Sequence, residues 1–240
     1  MKEAQENTPT SNSGDPAAEV WAMYDADRIP TGTTMTRGEE FRPGELHMVV
    51  TVCIFGADGR MLIQRRADDK AGWPGLWDFT TGGSVTAGES SRTGAEREVF
   101  EELGIRLDLT GVRPSFTFNF RHGFDDVYLL RAGDNAGDNA GDNAGNNAGA
   151  DLPPVDLATL AIPNSEVAEA AWATREEIHE LNQRGKFIPY RASAIDFVFD
   201  MVGRSDIMDL AEQGSRPGTG PAGFWGKGAS ARSETDAKNP

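Results

Sequence analysis

The segment from Gly83 to Ile105 places the strongest constraint on how this chain can fold. Three of its glutamates, Glu98, Glu101 and Glu102, are spaced at i, i+3 and i+4. On a helix such residues share one face, with about 5–6 Å between neighbouring Cβ atoms, and their like charges repel one another. Hard divalent cations such as Mg²⁺ prefer carboxylate oxygens. The spacing therefore predicts a helix that presents a metal site on one side.

The ends of this helix are also predicted by the sequence. We expect it to run from about Ser90 to Leu103 and to be closed by Gly104, because glycine readily adopts the left-handed conformation that ends helices. Val99 supplies part of the apolar side that would pack on a sheet. In the loop before the helix, Gly83 allows the backbone to come close to a bound cation.

Taken alone, the three glutamates could instead form a solvated face of an acidic protein. The chain has 38 acidic and 23 basic residues and a formal net charge of -15, and charged side chains are mostly exposed. This charge also argues against nucleic acid as a partner, because a negative surface repels a phosphate backbone. A bound divalent cation reverses the field locally, so an anionic small molecule remains compatible with the composition.

The complete spacing of residues 83–105 separates these two interpretations. The segment reads Gly, five residues, Glu, seven residues, Arg-Glu, an apolar residue, one residue, Glu-Glu, one residue, Gly and an apolar residue, which matches the Nudix box. Seven fixed letters at average usages of about 5–7% coincide by chance on the order of once in 10⁸ starting points. The chain therefore resembles the Nudix hydrolases. This resemblance implies an α/β (α+β) fold, the Nudix α/β/α sandwich with a mixed β-sheet and a loop-helix-loop metal site.

The same resemblance implies roles for the residues of the box. Glu98, Glu101 and Glu102 match the metal ligands of the family, together with the carbonyl of Gly83, and Mg²⁺ or alternatively Mn²⁺ is the implied cofactor. Glu98 and Glu101, with Arg97, are the expected catalytic residues. The implied chemistry is attack of water on the phosphorus of a small-molecule diphosphate. One of the glutamates, or an acid outside the box, would accept the proton.

Arg97 is expected to orient the acids rather than to bind the metal. It points to a different face of the helix from the three glutamates. From there it can pair with Glu101 at i+4 or reach back to Glu89 in the loop, and Glu89 supports this arginine in the family pattern.

Outside the box, the chain is similar to the Nudix subgroup that resembles isopentenyl-diphosphate isomerases. In those isomerases, the positions that match Arg66 and Lys70 hold diphosphate oxygens, so these two residues are predicted to bind the substrate. A solvent-facing basic pair is the alternative. The similarity is carried by Tyr24-Asp25, Pro43-Gly44-Glu45-Leu46-His47, Gln64-Arg65-Arg66-Ala67, Lys70 and Trp73-Pro74-Gly75-Leu76-Trp77-Asp78.

Two departures from the isomerases favour hydrolysis. The isomerases carry a catalytic cysteine and, two residues later, a metal-binding histidine, where this chain has Thr81 and Gly83. A threonine hydroxyl is a far poorer proton-transfer group than a thiol near neutral pH, and the hydrolase box is intact. His47 matches another isomerase ligand, but without a second histidine a hydrogen-bonded residue at the start of a strand is the alternative.

The sequence thus predicts a metal-dependent hydrolase that cleaves a diphosphate bond in a nucleoside diphosphate-linked or related small molecule. Two alternatives remain open at this point, an isopentenyl-diphosphate isomerase-like enzyme and a non-catalytic, ligand-sensing Nudix domain. The box itself does not identify the substrate, because function depends on sites that differ among proteins of one fold.

The remainder of the chain predicts one Nudix domain over residues 17–212 with polar extensions. Residues 1–16 and 213–240 have little to bury, so we expect disordered tails, because ordering them would cost entropy without return. The Gly-Asp-Asn-Ala repeat at 133–150 has no hydrophobic face. It predicts a flexible insertion, which a host domain tolerates at low cost.

Short apolar runs bounded by turn residues predict strands, and a 3.6-residue periodicity predicts two further helices. The predicted strands are Val49–Phe55 and Met61–Arg65, joined as a hairpin through Ala57-Asp58-Gly59, then Pro114–Phe120, Asp126–Leu130 and Glu169–Trp172. One predicted helix begins at Thr174, with a capping box to Glu177, and ends near Gly185. The other places Ala194, Phe197, Val198 and Met201 on one face.

Cysteine content and the N-terminus bear on location. Cys53 is the single cysteine, so no disulfide can form within the chain, and its apolar surroundings predict a buried thiol. The polar N-terminus lacks the pattern of a signal peptide, and no apolar run approaches the ~20 residues needed to cross a bilayer. We therefore expect a cytoplasmic protein with no membrane partner, and the sequence leaves open whether it is a monomer or a homodimer.

Overall fold

A computed structural model describes residues 19–133 and 151–204 of the chain. All of these residues lie within one compact unit that ends at Ser205. The predicted tails, 1–16 and 213–240, lie outside the described residues, as does the predicted insertion 133–150 apart from Gly133.

The described residues form ten strands, three α-helices and one 3₁₀ helix. All three helices and five of the strands were predicted from the sequence, whereas β1, β2, β5, β6 and β9 were not. No helix in the described part of the chain is long and apolar enough to cross a membrane. The elements are β1 (Val20–Tyr24), β2 (Pro30–Thr36), β3 (His47–Gly56), β4 (Met61–Arg66), β5 (Trp77–Asp78), β6 (Thr81–Ser84), α1 (Ser91–Leu103), β7 (Phe116–Phe120), β8 (Gly123–Ala132), β9 (Asp151–Leu152), the 3₁₀ helix (Leu157–Thr159), β10 (Val167–Ala173), α2 (Arg175–Gln183) and α3 (Ala192–Met201).

A mixed sheet forms the middle layer of the fold. Its strand order is β10-β4-β3-β8-β7, with β5 beside β4, β6 beside β3 and β9 beside β8. Strands β3 and β8 run parallel from His47 opposite Gly123 to Gly56 opposite Ala132, while β4, β6 and β7 pair antiparallel with their neighbours. The mixed β-sheet expected from the sequence is therefore confirmed.

Helices cover both faces of this sheet. Because side chains alternate along a strand, Val52 of β3 packs in the same cluster as Val99 of α1. The next residue, Cys53, packs with Ile178 of α2 and Val198 of α3. The result is the expected three-layer α/β/α arrangement, in which Cys53 is buried as predicted.

The predicted hairpin between β3 and β4 is confirmed only near its turn, where Phe55 pairs with Met61. Further along, β3 pairs with β6 and β4 pairs with β5, so the sheet splits. The buried side chain of Thr80 spans the split: its Oγ1 accepts from the Ile54 N–H at 2.8 Å and donates to the Leu62 carbonyl. This hydroxyl replaces the backbone hydrogen bonds that a continuous sheet would make.

The predicted apolar face of α3 is wrong in part. Ile195 and Val198 are its buried residues, whereas Ala194 is only partly buried. Phe197 turns toward β7, where its ring lies 4.8 Å from that of Phe116. The helix therefore buries Ile195 and Val198 in the core, while Phe197 contacts the sheet at its edge strand β7.

An arginine holds the N-terminal β1–β2 hairpin against the sheet. Arg28 Nη2 donates to both carboxylate oxygens of Asp126, each at 2.9 Å, and its guanidinium lies 4.3 Å from the centroid of the Phe124 ring. Thr117 Oγ1 donates to the same carboxylate at 2.7 Å. Asp126 is buried while Arg28 is half-exposed, so the carboxylate depends on these partners.

We expect Asp126→Ala to destabilise the protein by about 1–3 kcal/mol, because it removes a buried acceptor from charged and hydroxyl donors. Glu180→Ala is the matched control, since Glu180 forms an exposed pair with Arg184, and such pairs contribute little. Denaturant unfolding measures both changes. An Asp126→Ala midpoint equal to that of the control would contradict this role.

Candidate active site

Helix α1 carries the predicted acids, and its two ends are fixed by local hydrogen bonds. Ser90 and Thr93 form a capping box, in which each side chain accepts from the backbone N–H of the other residue. Gly104 closes the helix in the left-handed region, with φ 76°, and its N–H donates to the Phe100 carbonyl at 2.9 Å. The predicted start and end of the helix are confirmed to within one residue.

The apolar side of α1 turns two of the three glutamates toward the sheet. Val99 and Leu103 are fully buried, and their neighbours Glu98 and Glu102 are only 7% and 4% exposed. Burial raises the pKa of Glu98 to about 7, against the opposing effect of the Arg97 charge. Burial also raises the pKa of Glu102 to about 8, opposed by a hydrogen bond from the Thr81 hydroxyl. Burial therefore favours the protonated form of both carboxyl groups, and a further positive charge nearby would favour the ionised form.

Glu102 is held on both sides of the split in the sheet. Gln64 Nε2 of β4 donates to Glu102 Oε2 at 2.7 Å, and Thr81 Oγ1 of β6 donates to the same oxygen. The other amide atom, Gln64 Oε1, is buried and has no hydrogen-bond partner among the described residues. The acid thus connects α1 to β4 and β6 where these two strands separate.

Gly83 lies directly against Glu98. A Cβ atom at position 83 would overlap the Glu98 carboxylate, so with any other residue at this position in β6 the Glu98 side chain would have to shift. This agrees with the close approach expected of Gly83, while metal binding by its carbonyl remains a prediction.

Arg97 connects the loop before α1 to two of the predicted acids. It donates to both carboxylate oxygens of Glu89, at 2.8 and 3.1 Å, and to Glu101 Oε2 at 3.0 Å. These are the two pairs expected from the sequence. Arg97 Nη1 also donates to Glu98 Oε1 at 2.9 Å, a contact that helical spacing does not predict because neighbouring residues point apart. The long, flexible side chain makes it possible.

Glu101 stands apart from the two buried acids. Its side chain is 54% exposed, and its carboxylate accepts from Arg97. Within residues 19–133 and 151–204, no three His, Cys, Asp or Glu side chains are grouped closely enough to form a metal-binding cluster. The structure therefore brings Glu98 and Glu102 to the sheet and leaves Glu101 at the rim, and shared binding of one cation by all three remains a prediction.

The predicted substrate-binding residues Arg66 and Lys70 lie at the end of β4 and in the loop that follows it. Both side chains are only 16% exposed, so they do not form the solvent-facing pair of the alternative interpretation. Arg66 Nε donates to the Gly72 carbonyl at 2.9 Å, and Lys70 forms an ion pair with Glu166. Because Arg66 follows Gln64 by two residues on β4, both side chains leave the same face of the strand.

His47 is the first residue of β3 and is hydrogen-bonded there. This agrees with the alternative interpretation, in which His47 is a hydrogen-bonded residue at the start of a strand and not a metal ligand. Its Nδ1 lies 3.0 Å from the His122 carbonyl oxygen, and its ring stacks on Trp21 at 4.7 Å between centroids. Burial lowers the pKa of His47, which favours the neutral imidazole.

Sequence reasoning missed Asp125 in β8, on the sheet face opposite α1. Its Oδ2 accepts from Thr51 Oγ1 at 2.9 Å, whereas its Oδ1 is buried without a hydrogen-bond partner in the described part of the chain. Burial raises the pKa of Asp125 to about 6, and the charges of Asp126 and Asp78 add to the effect. The sequence did contain a signal for this residue, because Asp125 and Asp126 form an acidic pair within the otherwise largely apolar strand Gly123–Ala132.

We expect Gly83→Ala to lower stability by about 1–3 kcal/mol, because the added methyl group forces the Glu98 carboxylate away from β6. Gly72→Ala is the matched control, since a Cβ atom at Gly72 would meet no atom within 4 Å. Thermal unfolding distinguishes the two variants. Equal melting temperatures would show that the backbone of β6 does not need its close approach to Glu98.

Asp125→Asn should stabilise the protein most at alkaline pH. Because the folded-state pKa of Asp125, about 6, lies above the ordinary value of 3.8, the native state binds this proton more tightly than the unfolded state. Its contribution to stability therefore falls as pH rises toward about 6 and stays low above it. The substitution should raise the free energy of unfolding by up to about 3 kcal/mol at about pH 8, and by less at about pH 5.

Denaturant unfolding at the two pH values measures this difference. The exposed Asp69→Asn serves as the control because Asp69 lies at the surface. A gain in Asp125→Asn that does not depend on pH would contradict the raised pKa of Asp125.

Known proteins are similar to this chain in sequence and in fold. The NUDIX domain family matches residues 45–194. An uncharacterized Nudix hydrolase of Listeria monocytogenes is 42% identical over 172 residues, which cover 72% of this chain and 89% of that protein. An isopentenyl-diphosphate Delta-isomerase of Pectobacterium atrosepticum is 37% identical over 111 residues, 46% of this chain and 59% of that protein.

The likeness extends to a solved structure. A crystal structure of a Deinococcus radiodurans protein superposes with a TM-score of 0.54 at 20% identity, covering 76% of this chain and 99% of that one. At this identity the likeness concerns the fold alone. The family match over more than half of the chain, the Listeria relative and the intact box on α1 together show that this chain belongs to the Nudix hydrolase family.

Proposed function

We propose that this Nudix hydrolase cleaves a diphosphate bond in a nucleoside diphosphate-linked or related small molecule and that it requires a divalent cation, Mg²⁺ or Mn²⁺. One observation carries the proposal: two buried carboxyl groups lie one turn apart on α1, where Glu98 lies against Gly83 of β6 and Glu102 contacts Gln64 of β4 and Thr81 of β6. Burying a carboxylate is costly, and carboxyl groups whose pKa is strongly raised by burial are common at functional sites.

The donor groups at this place suit a hard cation. Glu98 and Glu102 supply carboxylate oxygens, and the missing side chain of Gly83 leaves room for a backbone carbonyl beside Glu98. Glu101 would join them from the rim, because Arg97 already ties it to Glu98. When bound, the cation would neutralise diphosphate oxygens and lower the pKa of the attacking water.

The surrounding residues would hold these acids in place. Gln64 and Thr81 would hold the Glu102 carboxylate from two strands. Arg97 of α1, which is paired with Glu89 of the loop, would hold Glu98. A preorganised site of this kind needs little rearrangement during reaction. For the proton of the attacking water, Glu98 and Glu101 are the acceptors that the helix offers.

Arg66 and Lys70 would bind the diphosphate. Arg66 leaves the same face of β4 as Gln64, two residues further along the strand, and Gln64 contacts Glu102. Lys70 pairs with Glu166, and an incoming diphosphate would compete with that carboxylate for the ammonium group. Two basic groups beside a metal site suit the charge of a diphosphate.

The similarity to an isopentenyl-diphosphate Delta-isomerase keeps isomerisation as the second candidate. Proton transfer at carbon would need a free acid or base at position 81. Thr81 instead donates its hydroxyl hydrogen to Glu102, so its hydroxyl is already used to position an acid. This contact favours hydrolysis.

We expect Glu98→Gln and Glu102→Gln each to reduce Mg²⁺-dependent turnover by roughly 100-fold or more, because a neutral amide is a poor ligand for a hard cation. Glu176→Gln, at an exposed acid in the first turn of α2, should keep full activity. Release of phosphate or nucleoside monophosphate is measured across nucleoside diphosphate sugars, oxidised nucleotides, dinucleotides and isoprenoid diphosphates.

Full activity in both variants would eliminate the proposed site. Proton exchange at the allylic carbon of an isoprenoid diphosphate, without release of phosphate, would instead establish isomerisation. Circular dichroism of each variant confirms that lost turnover does not reflect lost folding.

A further inference from the structure

The guanidinium group of Arg66 is held from two sides. Its Nε donates to the Gly72 carbonyl at 2.9 Å, and its Nη1 lies 3.9 Å from Asp78 Oδ2. The Arg66 and Asp78 side chains are only 16% and 15% exposed, so water and salt screen this pair less than they screen a surface pair. Because fixing a long side chain costs rotamer entropy, these two contacts must offset that cost.

The pairing of β4 with β5 brings Asp78 beside Arg66. Gln64 lies directly opposite Asp78 in the antiparallel register, and residues that lie directly opposite leave the same face of a sheet. Arg66 follows Gln64 by two residues and therefore leaves that face as well. Asp78 is thus a diagonal neighbour of Arg66, at a spacing that a long side chain can bridge.

The Asp78 carboxylate is itself fixed by hydrogen bonds. The Phe79 N–H and the Tyr190 hydroxyl donate to its Oδ1 at 2.8 and 3.0 Å, while Oδ2 faces Arg66. Burial raises the pKa of Asp78, and these hydrogen bonds and the Arg66 charge act in the opposite direction. The contacts with its neighbours therefore favour the ionised form of an acid that burial disfavours.

Tyr190 belongs to the segment between α2 and α3, which pairs with β5. In this segment the Ile188 N–H donates to the Trp77 carbonyl at 2.8 Å. The Tyr190 ring stacks on that of Phe79, with 4.5 Å between the ring centroids. Backbone pairing and ring stacking thus fix the hydroxyl group that donates to Asp78.

We propose that Asp78, held by Tyr190, is a positioning residue that orients the Arg66 guanidinium for the diphosphate of the substrate. The proposal rests on the proposed function, in which Arg66 binds diphosphate oxygens. Arginine binds such oxygens through a planar fork of N–H donors, so its orientation decides whether two bonds can form at once. The contacts with Gly72 and Asp78 fix the direction of the remaining donors before a substrate arrives, as a preorganised site requires.

The direction of the change in affinity separates orientation from a simple effect of charge. Removing an acid from beside an anion site would by itself strengthen anion binding, because the local potential becomes more positive. If Asp78 acts by orienting Arg66, its loss weakens anion binding instead.

Isothermal titration of the full chain with methylenediphosphonate, in the presence of Mg²⁺, measures diphosphate binding without turnover, because the P–C–P linkage resists hydrolysis. We expect Asp78→Asn to weaken binding by roughly fivefold or more, but by less than about twofold when Arg66→Ala is already present. Tyr190→Phe keeps the ring and removes the hydroxyl, so it should weaken binding in the same way. Asp68→Asn is the matched control, since Asp68 forms an exposed pair with Arg65, and it should leave the affinity unchanged.

The proposal is overturned if Asp78→Asn or Tyr190→Phe leaves binding unchanged or strengthens it, or if Asp78→Asn weakens binding equally with and without Arg66. Should Asp78→Asn fail to fold, Tyr190→Phe carries the same comparison. Failure of the unaltered protein to bind the diphosphonate would also overturn it.

Failure of the positioning role is distinguishable from failure of the proposed function. Full diphosphonate affinity in Arg66→Ala would refute the positioning role and leave the proposed hydrolysis intact. The expected pattern of affinities in a protein that hydrolyses no diphosphate would refute the hydrolysis and leave the role of Asp78 standing.

Discussion

The packing of one side of α1 on the central sheet determines the rest of the site. Val99 and Leu103 are fully buried against β3 and its neighbours, and this contact fixes the rotation of the helix about its axis. Because Glu98 and Glu102 each precede one of these residues, the same rotation draws two carboxyl groups toward the sheet. The burial of Val99 and Leu103 thus supplies the free energy that offsets the cost of removing the Glu98 and Glu102 carboxyl groups from water.

Polar contacts then compensate for the burial of these acids. Arg97 gives Glu98 a charged donor, and Gln64 gives Glu102 an amide donor. Gln64 belongs to β4, beside the split in the sheet, and Arg97 belongs to α1, where Glu89 of the preceding loop also holds it. The contacts that stabilise Glu102 therefore also place it where β4 and β6 separate. A substrate and a cation would need acids placed at the edge of the sheet in this way.

The ends of α1 could be predicted because they depend on residues close together in the sequence. Strand β6 and the environment of Asp125 could not, because they depend on pairing between strands that are distant in the sequence. The capping box at Ser90 and the left-handed Gly104 are read directly from short sequence patterns. Strand β6 was missed because Gly82 and Gly83 have low β-propensity, and they extend only because β3 offers a partner. Asp125 was missed because its environment depends on parallel pairing with β3, 74 residues away from Thr51.

Diffraction from crystals grown with Mn²⁺ tests the central claim most directly, because its anomalous scattering locates the ion without reference to turnover. The account predicts one strong peak between α1 and β6, with carboxylate oxygens of Glu98 and Glu102 as ligands at about 2.0–2.3 Å and the Gly83 carbonyl beside it. A Mn²⁺-soaked crystal in which Glu98 still contacts Arg97, Glu102 still contacts Gln64, and no peak lies between them would contradict it.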